Sequence, residues 1–220
     1  MNAKLIATTV PCADLVAQGI KTGDDLIAYC ARVSNPSNQT NTATAPKLLA
    51  YCIRHGHWSV FETASMTVEV ETSRAIAAQL LRHRSFTFQE WSQRYAVSSA
   101  IEPVGLRRQD EKNRQASGEP ITDPDLQRGV DAIVADAYEM YGRLVARGVS
   151  KETARMVLPL CTRTKLYMTG CARSWIHYFD QRCSPHTQKE HRELAEKIRE
   201  IFAQQFPNVW TALQLREVKS

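Results

Sequence analysis

The chain has 220 residues, 43% of them hydrophobic and 23% charged, which excludes global disorder and collagen-like repeats. No apolar run approaches the roughly 20 residues that cross a bilayer, and at roughly 100–200 residues per domain a single domain over 1–220 is expected. Lysine and arginine total 28 against 23 acidic residues, a net +5. That excess is too small for a general nucleic-acid binder, but it gathers at Arg82–Arg84 and between Arg155 and Arg192, as a local anionic ligand requires. The opening MNAKLIATTVPCADL shows no signal-peptide cleavage pattern, and Cys12, Cys30, Cys52, Cys161, Cys171 and Cys183 form no CxxC pair. Reduced thiols, no metal site, no membrane span and a cytoplasmic setting are therefore expected.

In chain order, Asp24–Val33 carries Leu26, Ile27, Cys30 and Ala31 at helical spacing, and Asn35-Pro36 stops it. Pro46–His55 repeats the pattern, with Gly56 in the place just past a helix end. Ala64, Met66, Val68 and Val70 alternate with polar neighbours, the period of a strand. Ser73–Leu81 returns to helical spacing and runs into Arg82-His83-Arg84. Residues 107–125 are polar, hold both charge signs with Gly118, Pro120 and Pro124, and read as a surface insertion. Leu126–Leu144 forms the longest helix, with one broad apolar stripe. Ser150 opens a short helix that Pro159 ends, Thr162–Met168 reads as a strand, and Ala172–Phe179 as a helix. Ser184-Pro185 reads as an N-cap and first helical position for a last helix to Gln205. Strands without regular βαβ units among many helices predict an α+β fold, helix-rich with a small, largely antiparallel sheet.

The nine glycines form neither GxGxxG nor GxxxxGK[ST], and HExxH and GxSxG are absent. A bound nucleotide must then be held by side chains and helix ends, which puts the weight on arginine. Arg82-His83-Arg84 is followed, after seven residues, by Ser92-Gln93-Arg94. Beside an anion such residues become charge-assisted donors, and an extended 92–94 would aim Ser92 and Arg94 the same way. The plainer alternative has the arginines decorating a helix C-terminus. Glu90 lies among Phe86, Phe88 and Trp91, where its carboxylate suits a ribose hydroxyl or an arginine. Arg173 and His177 share a helix face, and Arg182, Cys183, His186 and Gln188 cluster at the start of the last helix.

Taken together, RHRSFTFQEWS and the continuation Ser92-Gln93-Arg94-Tyr95 resemble the RHR-x7-S signature of the flavin-dependent thymidylate synthases. CARVS at 30–34, GHWSVFE at 56–62, ETARMVLP at 152–159 and ARSWIHYFDQR at 172–182 fall in that family's order, so the likeness spans roughly 25–205. Three positions depart from the pattern: Cys171 and His177 stand where asparagine is common, and Thr63 where histidine is frequent.

The resemblance implies reductive methylation of dUMP to dTMP, with methylenetetrahydrofolate as carbon donor and NADPH-reduced FAD as hydride source. Carried over residue by residue, it assigns the dUMP site to Gln79, Leu80, Leu81, Arg82, Glu90, Trp91, Ser92, Gln93, Arg94, Arg155 and Arg182. Arg182 would be catalytic, facing the pyrimidine carbonyls and stabilising charge at N3. His57, Ser59, Arg82, His83, Arg84, Glu90, Cys171, Arg173 and His177 would contact FAD. It also implies a homotetramer, with sites formed between subunits. Two rivals remain from the residues alone: a cysteine-dependent methyltransferase pairing Cys183 with His186, and an RNA-binding module stacking bases on Phe86, Phe88 and Trp91.

Overall fold

The computed structural model describes residues 1–98 and 100–217, the side chains of Arg216 and Glu217 excepted. The first half contains β1 (Asn2–Thr8), α1 (Ala13–Ala17), α2 (Gly23–Ala31), α3 (Ala45–Arg54), β2 (Ser65–Ser73), α4 (Arg74–Leu80) and β3 (Thr87–Glu90). The second contains β4 (Arg107–Gln109), β5 (Ser117–Pro120), α5 (Pro124–Ala146), α6 (Lys151–Ala154), β6 (Arg163–Cys171), α7 (Ala172–Arg182), α8 (Lys189–Gln205) and α9 (Pro207–Glu217). Short 3-10 turns occupy Trp58–Glu62 and Arg155–Val157.

The expected α+β architecture is present. Four strands in the order β1-β2-β6-β3 make an antiparallel sheet. The strict alternation along β2 buries Met66, Val68, Val70 and Thr72 opposite Gly170, Met168, Leu166 and Thr164 of β6. That face meets Trp175, Ile176 and Phe179 of α7 and Leu194, Ala195, Ile198 and Phe202 of α8 in one core. Trp175 adds a hydrogen bond from its ring N–H to Met66 O at 3.2 Å. Gly56 ends α3 as expected: at φ +69° it lets His57 N–H reach Cys52 O and its own N–H reach Ile53 O.

Several boundaries differ from the sequence reading. Ser184–Thr187 is a turn closed by Thr187 N–H to Ser184 O, and α8 starts at Lys189 with Gln188 as N-cap. Ser-Pro suits a turn as well as a helix start. The polar stretch 107–125 holds the β4–β5 hairpin, and α5 begins at Pro124 because the Asp123 carboxylate caps Asp125 and Leu126 N–H at 3.0 Å each. Residues 92–94 are not extended: Tyr95 and Ala96 N–H both bond Ser92 O in a turn. The stripe of α5 is only partly covered, since Val134 and Tyr141 are buried while Ile133 is 70% exposed.

Candidate active site

Ser73 caps α4 and sends Ile76, Ala77 and Leu80 into the core, so the helix delivers the Arg-His-Arg turn at a fixed place. His83 N–H bonds Leu80 O, Phe86 N–H bonds His83 O, and the chain enters β3. His83 and Phe86 point inward while Arg82 and Arg84 are exposed, without an ion pair among the described residues. The Phe86 ring packs edge-on to Trp175, 4.6 Å between centroids, and against Gly170, where any Cβ would overlap it.

Beneath this turn lies a polar junction. Arg182, at the end of α7, donates from Nε to His83 Nε2 at 2.9 Å. Burial, then the charges of Arg182, His177 and Arg82, lower the His83 pKa to about 4, so its ring is a neutral acceptor. His191, fully buried on α8, bridges Gln79 Oε1 at 3.0 Å and the Tyr178 hydroxyl at 3.2 Å. Its pKa falls to about 3, chiefly through burial, with Arg182 and His83 adding to the effect.

Glu90 closes a second junction at the sheet edge. It accepts from Arg74 Nη1 at 2.8 Å and from Thr164 Oγ1 at 2.9 Å, while Arg74 Nη2 bonds Trp91 O at 2.9 Å. Burial lowers the Arg74 pKa, Glu90 opposes that shift, and the charge of Arg155 adds to it, so Arg155 lies within electrostatic range. Nearby, Ser92, Arg94 and Arg155 gather around Glu152. Arg94 pairs with its carboxylate at 3.3 Å, Arg155 Nε reaches its carbonyl at 3.4 Å, and Ser92 Oγ accepts from Arg94 N–H. Gln93 turns inward, its Nε2 buried without a partner among the described residues.

A third region is a cleft of about 410 Å³ with Trp58, Ser85, Cys171, Ser174 and His177 on its wall. Arg173 pairs with Glu62 at 2.5 Å, His177 bonds Gln181 at 2.9 Å, and Ser174 holds Cys171 Sγ at 3.3 Å. Ser59 is exposed on the 3-10 turn that supplies Trp58 and Glu62, and His57 is exposed as the N-cap residue just before it. Of the expected dUMP contacts, Leu81 is exposed, whereas Leu80 is fully buried in the core and has only its backbone to offer. The expected residues thus form three patches, linked by α4, β3 and α7.

The family model described as "Thymidylate synthase complementing protein" matches residues 15–208. A probable flavin-dependent thymidylate synthase of Paramecium bursaria Chlorella virus 1 is 51% identical over 97% of this chain and 99% of that one. The flavin-dependent thymidylate synthase of a Synechocystis species is 47% identical over 97% of this chain and 100% of that protein. The chain belongs to the flavin-dependent thymidylate synthase family. In the same fold, a crystal structure of a UMP/dUMP methylase from Streptomyces cacaoi bound with 5-Br dUMP superposes with a TM-score of 0.82, at 27% identity, over 97% of this chain and 94% of that one.

For a flavin-dependent thymidylate synthase the two rival readings lose geometric support. Cys183 is half-buried against the core and burial raises its thiol pKa, the opposite of an activated nucleophile. Phe86 is a core residue with no face for a base. Sequence reasoning missed Arg74, Glu152, Thr164 and His191. Only His191 carried a signal: it sits on the apolar stripe of α8 with Leu194, Ala195, Ile198 and Phe202, where a polar side chain needs a buried partner.

Proposed function

We propose that this chain methylates dUMP to dTMP reductively, with methylenetetrahydrofolate as carbon donor and NADPH as the source of reducing equivalents through FAD. The Arg182–His83 pair carries the reading. A neutral imidazole accepts the hydrogen bond from Arg182 Nε–H, fixes the guanidinium plane, and leaves the terminal N–H groups of Arg182 for acceptor oxygens. Facing the pyrimidine carbonyls, those donors stabilise negative charge as N3 ionises, which makes Arg182 the catalytic residue.

Gln79, Ser92, Arg94 and Arg155 hold the phosphate and sugar of dUMP, with Arg82, Glu90, Trp91, Gln93 and the backbone of Leu80 and Leu81 around them. Breaking the exposed Arg94–Glu152 pair costs little, so Arg94 can turn to a phosphate while the Glu152 carboxylate moves away. The residues also fit FAD. Arg82 and Arg84 are exposed guanidiniums suited to its pyrophosphate, and the cleft beside Cys171 and His177 offers the flat Trp58 wall with polar neighbours. His57, Ser59, His83, Glu90 and Arg173 complete that set. When bound, reduced FAD supplies the hydride that completes the methyl group.

Homotetramer assembly, with sites built between subunits, belongs to the same reading. The separation of the expected residues into patches supports it. So do Tyr95 and Met156, which are 84% and 78% exposed and adjoin Arg94 and Arg155 in the chain. A cytoplasmic location is supported by six free thiols. The test is dTMP formation from dUMP with FAD, NADPH and methylenetetrahydrofolate. Product must appear with the full set and vanish when any one is omitted; product without FAD or NADPH overturns the reading.

A further inference from the structure

His191 begins a chain of hydrogen bonds whose polarity is fixed at its far end. Arg107 and Gln188 both donate to the Glu190 carboxylate, the latter from Nε2 at 3.0 Å, and a carboxylate only accepts. Gln188 therefore presents Oε1 to Gln79, which donates from Nε2 at 2.6 Å. That leaves Gln79 Oε1 toward His191, so Nδ1 of the imidazole carries the proton at 3.0 Å. The neutral ring accepts the Tyr178 hydroxyl proton at Nε2. A flipped Gln79 amide would set its oxygen against the Gln188 oxygen. Gln79 thus keeps one spare amide N–H, a donor for an acceptor atom at the edge of the site.

We propose that His191 is a positioning residue for dUMP, holding the Gln79 amide from inside the core so that its spare N–H is presented to the nucleotide. The assignment rests on the reading of Gln79 as a substrate contact. It gives a job to a fully buried histidine on an otherwise apolar stripe.

The experiment is a double-mutant cycle on the FAD-loaded protein, with dUMP affinity read by calorimetry and kcat measured at saturating dUMP. His191→Phe is expected to weaken dUMP about five- to tenfold, the scale of one lost hydrogen bond, with kcat within about twofold. In a Gln79→Ala background the same change should weaken it no further. His191→Asn, which keeps an N–H near the place of Nδ1, should recover most of the affinity. Should His191→Phe fail to fold, His191→Leu takes its place in the cycle. Equal losses with and without Gln79, or an Asn variant no better than Phe, overturn the assignment while leaving the enzyme reading intact. A wild-type protein that binds no dUMP overturns the enzyme reading and this assignment with it.

Discussion

Beneath Arg182 the polar groups are buried or half-buried and bonded to one another: His83 accepts, His191 bridges, and Tyr178, Gln79 and Gln188 each have a partner. Around Arg94 the side chains are exposed, held by one solvent-accessible ion pair and a long contact to a backbone carbonyl. The first region is ordered at folding and needs no ligand to hold its geometry. The second can rearrange around an anion and stands beside uncovered apolar side chains. On the proposed reading, orientation of the reacting ring belongs to the fold, and grip on the phosphate belongs to the complex.

The sharpest way to break this contrast is Arg182→Ala, which should lower kcat about 10²- to 10³-fold while thermal melting changes little. Arg94→Ala should instead raise the KM for dUMP about ten- to a hundredfold through loss of a charge-assisted bond, with stability unchanged. Added salt should weaken dUMP binding more in the wild type than in that variant.

Gly170→Ala tests the support of the Arg-His-Arg turn, because the new Cβ must displace the Phe86 ring. A loss of about 1–3 kcal/mol in thermal or urea unfolding is expected.

Acid should dismantle the buried junction before the exposed patch. The folded pKa values of His83 and His191, about 4 and about 3, lie below the ordinary 6.5. Their contribution is complete above pH 6.5 and is lost as pH falls through the folded values. Asp24 works in the opposite sense. Burial raises its pKa to about 6 although Asn208 and Val209 N–H bond it, so its contribution is full below 3.8 and lost as pH rises through 6. Melting curves from pH 7 to 4 should therefore fall less steeply for His83→Asn and more steeply for Asp24→Asn than for the wild type. The smallest effect is expected from Cys183→Ala, with turnover within about twofold.

Much of this was legible in the sequence. The alternation of Met66, Val68 and Val70 marked the central strand, and Gly56 marked the end of α3. The ordered motifs brought Arg82, Ser92, Arg155 and Arg182 under consideration together. Edge strands were not legible: β1 shows an uneven burial pattern and β3 has four residues, so both depend on partners far along the chain. The turn at 184–187 escaped because Ser-Pro serves a turn and a helix start equally. Arg74 and His191 escaped because their meaning lies in Glu90 and Gln79, which only the folded chain brings to them.

A flavin, held largely by side chains, is expected to serve this chain. The visible spectrum of the purified protein with FAD, before and after anaerobic NADPH, tests it most directly. A flavin band that travels with the protein through gel filtration and bleaches on NADPH is the predicted result. A colourless protein that leaves added FAD free would contradict the account.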